Sequence, residues 1–350
     1  MVILLAALAI GGLAWLVRLR RRESALAGGA PPRFPDGLPV GQPVPREHLS
    51  RGRIVVSGLT KEYRGITAVD HLSFVVEPGR VTGLLGPNGS GKTTTLRMLL
   101  GLVGPTAGTA AIGGLRYEEL AEPIRRVGGL LEAGGAHEDR TGRDHLRIIC
   151  LAAGIPLARA DEVLEMVGLT APGRRRFRGY SLGMRQRLGI ATALLGDPQV
   201  LILDEPGNGL DPEGIRWLRG VLRALAAGGR TILLSSHLLA EMSQLADDLV
   251  IIASGRLIAQ GTVAAVIGSM TQASRTLVRT PQLAALAAEL GGGTTMTSAS
   301  ADDVYITGVG AAAIGDAAQR AGVAIHQLAT QHPDLEAAFL ELTAGRDAIR

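Results

Sequence analysis

The sequence predicts an α/β fold with a mostly parallel sheet core, and three observations predict it. Short apolar runs of strand length (Arg80–Leu85, Val127–Leu131, Val200–Leu203, Thr231–Ser236, Leu249–Ala253) alternate with helical stretches, the order of a parallel sheet with helices packed around it. One run leads straight into Gly86-Pro-Asn-Gly-Ser-Gly-Lys-Thr-Thr94, a glycine-rich loop between a strand and a helix. Another ends in two adjacent carboxylates, Asp204 and Glu205, at a strand tip. The 350 residues leave room for about two domains, and 46% hydrophobic with 3% aromatic content points to a core of Leu, Ala, Val and Ile.

In chain order, Met1–Val17 is apolar and is followed at once by Arg18, Arg20, Arg21 and Arg22. Positive charge after the run, rather than before it, argues against a cleaved signal peptide and for an N-terminal membrane anchor over residues 1–22. An interfacial helix or an upstream start of translation are the alternatives. Residues 23–52 carry prolines at 31, 32, 35, 39, 43 and 45, the composition of an extended linker. Residues 18–53 hold eight arginines against Glu23, Asp36 and Glu47, a net of +5, while the whole chain is +4. The basic character is therefore local and beside an apolar segment, which favours a membrane surface over nucleic acid.

The folded part starts near residue 53, with strands expected at Ile54–Leu59 and Leu72–Val76 and Tyr63 in a polar turn between them. The loop that follows has a specific physics. Phosphate oxygens need several backbone N–H donors converging on one small space, and Gly86, Gly89 and Gly91 let the backbone curl closely enough to supply them. Asn88 and Ser90 lie between these glycines, and Thr93 and Thr94 open a helix whose N-terminal dipole also favours an anion. Lys92 would reach the β- and γ-phosphates, and the Thr93 hydroxyl would ligate Mg²⁺. The chain has only two lysines, Lys61 and Lys92, among 36 basic residues, so a lysine kept here points to a need for the compact ammonium.

The apolar run Val127–Leu131 ends at Glu132, and residues 133–195 read as a helical subdomain with helices at Arg143–Ala153, Arg159–Val167 and Leu182–Leu195. Cys150 lies in an apolar run and is expected to pack in the core. The basic cluster Arg174–Arg178 reads as a solvated loop. His137, Glu138, Asp139 and His145 fit no familiar zinc spacing. Carboxylates at the end of a buried strand are costly unless a cation or a polarised water uses them, so Asp204 is expected to help hold Mg²⁺ and Glu205 to polarise an attacking water. His237, after the strand Thr231–Ser236, is a candidate γ-phosphate contact. Residues 269–350 shift to alanine-rich helical runs (Gln282–Leu290, Ala311–Ala321) and β-like pieces such as Val304–Thr307, with an amphipathic helix over Asp334–Leu342, the pattern of a small α/β appendage.

Over residues 53–268 this ordered set resembles the nucleotide-binding subunit of an ABC transporter. Gly86–Thr93 matches the Walker A loop and Leu201–Glu205 the Walker B strand; Tyr180–Gln186 resembles the signature motif, Asn208–Asp211 the D-loop, and His237 the switch histidine. The resemblance implies a phosphate-loop ATPase with an antiparallel β piece, Tyr63 stacked on adenine, and Glu132 at the Q-loop position near Mg²⁺. Leu182 and Met184 depart from the usual signature, while Ser181 and Gly183 remain. Together with the ending Pro333–Leu342, these departures resemble the bacitracin-type export ATPases. The implied activity is ATP hydrolysis by two copies, or by related subunits, docked head-to-tail. Ser181 and Gly183 of each copy would cap the ATP on the other's Lys92. The expected partner is an integral-membrane permease, at the cytoplasmic face of the cell membrane, moving drugs, peptides or lipids outward; no nucleic acid is expected. A regulatory or membrane-remodelling ATPase without transport is the alternative.

Overall fold

The computed structural model describes residues 52–131, 135–271, 275–291, 294–298 and 303–331. The expected anchor (1–22), most of the proline-rich linker, Glu132 and the helix over Asp334–Leu342 lie outside these residues. Among the described residues no helix is long and apolar enough to cross a membrane.

Six strands form the central sheet: β3 (Val81–Leu85), β5 (Val127–Leu130), β6 (Val200–Leu203), β7 (Thr231–Ser236), β8 (Asp248–Ala253) and β9 (Arg256–Thr262), in the order β5-β6-β7-β3-β8-β9. All neighbours are parallel except the β8–β9 pair at one edge. The alternation along each strand explains the unbroken apolar runs, because both faces are covered. Val81, Leu85, Leu201, Leu203, Ile232, Leu234, Leu249 and Ile251 point into one core. Leu84, Val200, Ile202, Leu233, Val250 and Ile252 point into the other.

The first core is closed by helices: α2 (Gly142–Ala153), α3 (Ala158–Met166), α4 (Leu182–Leu194), α5 (Pro212–Ala227) and α6 (Leu239–Leu245). Cys150 is fully buried there, and burial pushes its thiol pKa up, as befits a small core residue. Residues 256–262 and helix α5 carry no expectation from sequence. Asp211 caps α5, accepting from the Gly214 N–H at 2.7 Å, and Pro212 occupies its first turn. Its Leu218, Val221, Leu222 and Leu225 are buried, at roughly 1.5–3 kcal/mol each, so packing rather than the cap (about 1 kcal/mol) holds it.

The second core lies between the central sheet and a three-stranded antiparallel sheet of β1 (Ile54–Tyr63), β2 (Ile66–Val76) and β4 (Ala107–Ile112), in the order β2-β1-β4, with helix α1 (Lys92–Leu99) contributing Leu96, Met98 and Leu99. Here the strands β1 (Ile54–Tyr63) and β2 (Ile66–Val76) run well beyond the expected Ile54–Leu59 and Leu72–Val76. Tyr63 is therefore a strand end and not a turn residue. The turn is the two residues Arg64 and Gly65, with φ of 47° and 87°, the positive pair that a tight hairpin with right-twisted strands requires. The extension carries Lys61, Glu62 and Thr67 out of the core, so the apolar pattern stops before the strand does. β4 (Ala107–Ile112) completes this sheet by pairing with β1.

The C-terminal elements β10 (Arg275–Arg279), α8 (Leu283–Leu290), β11 (Thr295–Ser298), β12 (Asp303–Thr307), α9 (Ala311–Ala321) and β13 (Gln327–Gln331) form a separate antiparallel sheet, β11-β12-β10-β13. This is the β-α-β-β-α-β split arrangement. Its own small core joins Val278, Val304 and Ile306 to Leu286, Ile314, Ala317 and Ala318. Helix α7 (Val263–Thr271) connects the two parts of the chain.

Candidate functional site

β3 ends at Leu85 and α1 begins at Lys92, so the glycine-rich loop is the hinge between them. Gly89 and Gly91 have φ of 79° and 99°, the left-handed region that disfavours any side chain. Packing makes a second demand. A Cβ on Gly91 would lie 2.5 Å from the Ala68 carbonyl oxygen, and one on Gly86 would lie 2.4 Å from that of Ile252. Gly255 fastens the loop from below, its N–H donating to the Ser90 carbonyl at 3.0 Å. Lys92 is only 6% exposed. Its ammonium donates to the carbonyls of Gly86 (2.6 Å) and Pro87 (3.1 Å) and lies 3.9 Å from Glu205 Oε1. Burial pulls its pKa below the ordinary lysine value, with the charges of Glu205 and Asp204 opposing that shift.

The tip of β6 is braced from both sides. Thr93 Oγ1 donates to Asp204 Oδ2 at 2.7 Å, and the Ser235 hydroxyl at the end of β7 donates to Asp204 Oδ1. The same Ser235 oxygen accepts the Glu205 N–H at 2.9 Å. Glu205 has a φ of 48°, unusual for a residue with a side chain, and such a conformation persists only where its surroundings fix it. Gln186, buried in α4, supplies a further tie by donating to the Glu205 carbonyl at 3.2 Å. His237 Nδ1 lies 3.1 and 3.0 Å from the two Glu205 carboxylate oxygens.

These elements enclose a cleft of about 420 Å³ that brings Asn88, Gly89, Gly91, Lys92, Thr93 and Thr94 together with Glu205, Asn208 and His237. Thr93 and Asp204 present hard oxygen donors side by side, the chemistry Mg²⁺ prefers. Among the described residues no group of three His, Cys, Asp or Glu could hold a metal alone, so a cation here would complete its shell from phosphate and water. His137, Glu138, Asp139 and His145 form no such group; Asp139 instead pairs with Arg176 and Arg178, drawing the basic cluster into surface ion pairs.

Ser181 and Gly183 are elsewhere. They line a second cleft, of about 530 Å³, with Leu182, Met184, Arg187, Gly209, Leu210 and Asp211, and the two clefts share no residue. Ser181 caps α4, its hydroxyl accepting the Met184 N–H at 3.3 Å. Leu182, 59% exposed, lies against Gly209, where a Cβ would come within 2.3 Å of it. Tyr180 beside it is buried and donates to the Pro172 carbonyl at 2.9 Å. The loop Asn208–Asp211 touches both clefts, Asn208 the first and Gly209, Leu210 and Asp211 the second. Tyr63 does not line the phosphate cleft; it is 42% exposed at the end of β1, with the Lys61 ammonium 5.0 Å from its ring centre.

Three supporting residues were not singled out as site residues from sequence: Ser235, Gln186 and Glu241. The two serines that end the run Thr231–Ser236 were a signal, since hydroxyls at the tip of a buried strand need partners. Glu241 accepts from the Ser236 hydroxyl at 2.7 Å; burial raises its pKa and the Glu205 charge adds to that, while Ser236 and His237 oppose it.

Comparisons with known proteins agree with this geometry. The family described as ABC transporter matches residues 69–208, and a "Domain of unknown function (DUF8746)" matches residues 274–336. A bacitracin transport ATP-binding protein of Bacillus licheniformis is 47% identical, over 59% of this chain and 68% of its own length. A daunorubicin resistance ATP-binding protein of Streptomyces coeruleorubidus is 39% identical, over 85% of this chain and 98% of its own. A solved structure described as an ATP-binding subunit of an ABC transporter is 32% identical with a TM-score of 0.56, covering 62% of this chain and 92% of that one.

Proposed function

The chain belongs to the ATP-binding subunits of ABC transporters, and from that premise we propose that its ATP hydrolysis drives a separate membrane permease in outward transport of a drug, peptide or lipid. The observation that carries the residue assignments is the single cleft that joins Lys92, Thr93, Glu205 and His237, with Asp204 hydrogen-bonded to Thr93. The loop N–H groups and Lys92 bind the β- and γ-phosphates. Thr93 and Asp204 would hold Mg²⁺, which when bound neutralises charge on the phosphate oxygens. Glu205 takes the proton of an attacking water, and His237, 3.0 Å from that carboxylate, holds the γ-phosphate end of the cleft. Tyr63, at the exposed end of its hairpin, stacks on adenine, and Glu132 takes the Q-loop role toward Mg²⁺.

Ser181 and Gly183 line a cleft apart from Lys92, so they serve the nucleotide of a second chain in a head-to-tail dimer. ATP closes that dimer through contacts that exist only in the closed state, and hydrolysis removes them. Residues 53–268 form the ATPase and 269–350 an accessory domain, at the cytoplasmic face of the membrane. The test is affinity purification from native membranes with Glu205→Gln as bait, in ATP and Mg²⁺. Recovery of a multi-span permease is expected. Recovery of the chain alone, or with a soluble partner, overturns transport and favours a regulatory ATPase.

A further inference from the structure

We infer that Glu241 is a positioning residue for hydrolysis, its carboxylate holding the turn that carries His237 against the loop that leaves Glu205. This rests on the roles given above to Glu205 and His237.

The first contact is with the His237 turn. The Ser236 hydroxyl accepts the Leu238 N–H at 3.1 Å and donates to Glu241 Oε2 at 2.7 Å. One hydroxyl thus spans His237, and its proton is committed to Glu241. Without that acceptor the hydroxyl is free to rotate, and the backbone on either side of His237 loses its tie.

The second contact is with the loop after Glu205. A Cβ on Gly207 would lie 1.5 Å from Glu241 Oε1. Gly207 is not among the residues with positive φ, so backbone conformation does not demand a glycine there; room for the Glu241 carboxylate does. This glycine sits in the bend whose Asn208 N–H returns to the Glu205 carbonyl at 3.2 Å. An acid in the first turn of a helix is ordinarily explained by the helix dipole. That explanation covers the position of Glu241 in α6 but not an oxygen lodged against Gly207.

The carboxylate therefore touches both strands of chain that deliver His237 and Glu205, whose side chains must stay 3.0 Å apart. Misplacing reacting groups by about 1 Å costs up to about 100-fold in rate.

The experiment measures ATP turnover and equilibrium nucleotide binding of the full-length chain. Glu241→Ala is expected to lower kcat about tenfold with KM for ATP within about twofold. Glu241→Gln, which keeps an oxygen for Ser236, is expected to recover to within about threefold. Gly207→Ala is expected to lower kcat similarly, and Gly207→Ala with Glu241→Ala to cost less than the product of the two single losses, because removing the carboxylate makes room for the methyl group. An unchanged kcat in Glu241→Ala, a loss equal in kcat and affinity, or additive single losses overturns the inference. Glu205→Gln is run beside them. If it retains turnover, the site assignment itself fails; if it is inactive while Glu241→Ala is normal, only the role of Glu241 fails.

Discussion

The two clefts are built from opposite materials. The phosphate cleft stands on the tips of β3, β6 and β7, adjacent strands of one sheet, and its polar groups are braced by partners of the same chain: Thr93 and Ser235 on Asp204, Gln186 on the Glu205 carbonyl. The Ser181 cleft stands on the N-termini of α4 and α5 and on connecting loops, with Leu182 largely exposed to solvent. Strand tips locked in a sheet can be aimed before any ligand arrives, which is what stabilisation of developing charge requires. A helix N-terminus offers donors outward and has little to act on within its own chain. Under the proposed function, the contrast is between one cleft preorganised for chemistry and another left for docking.

The sharpest way to break that contrast is to remove chemistry without removing docking. Glu205→Gln is expected to slow turnover by about 10³-fold while an ATP-bound dimer accumulates on gel filtration. Ser181→Ala should do the reverse. Turnover falls about tenfold to a hundredfold, no ATP-bound dimer accumulates in a Glu205→Gln background, and the nucleotide affinity of the isolated chain stays within about twofold. Equal losses of monomer affinity in both variants would show that the clefts are not separate in function.

Tyr63→Ala tests whether the hairpin belongs to the first cleft at all. Adenine stacking of about 1–2 kcal/mol predicts roughly a tenfold weaker Kd for ATP, recovered by Tyr63→Phe, with the same Kd for inorganic triphosphate. The smallest effect is a pH trend. Lys92 has its folded-state pKa lowered by burial below 10.5, whereas the unfolded chain keeps that proton up to the ordinary value. In the window just below 10.5 the unfolded state thus binds more protons, and stability contributed through this lysine rises with pH. Phosphate affinity should fall over the same window as the ammonium is lost. Over that window the native chain is expected to show a rising melting temperature and a rising (weaker) nucleotide Kd, and Lys92→Met should flatten both.

The parts of the molecule that were legible in sequence are those where one physical demand dominates. A strand buried on both faces is apolar along its middle, so Val200–Leu203 and the Ile-Leu-Leu centre of Thr231–Ser236 announced themselves. A loop that approaches phosphate must lack side chains, so Gly86–Gly91 did too. Where demands are mixed, the pattern blurs. The outer half of the β1–β2 hairpin is solvated and reads as a turn; β4, Ala-Gly-Thr-Ala-Ala-Ile, has little strand propensity and exists because β1 pairs with it. In the site, the glycines, Lys92, Asp204, Glu205 and His237 were readable from residue type and spacing. Ser235, Gln186 and Glu241 were not, because each works through a contact distant in sequence: 31 residues from Ser235 to Asp204 and 19 from Gln186 to Glu205. For Glu241 the matching glycine lies in a different loop.

The scarcity of lysine gives the buried ammonium a practical use. Only Lys61 and Lys92 carry side-chain amines, and the two differ sharply in setting. Lys61 donates to the Gly104 carbonyl at 2.7 Å on an exposed hairpin, while Lys92 lies almost wholly inside its loop. Amine-directed acylation followed by peptide mass spectrometry therefore reads the loop through a single residue, with Lys61 as internal standard. Lys92 is 6% exposed, so its modification requires the reagent to reach it inside the loop, and protection by ATP reports occupancy. An arginine-rich surface that resists such reagents makes this chain its own site-specific footprinting probe.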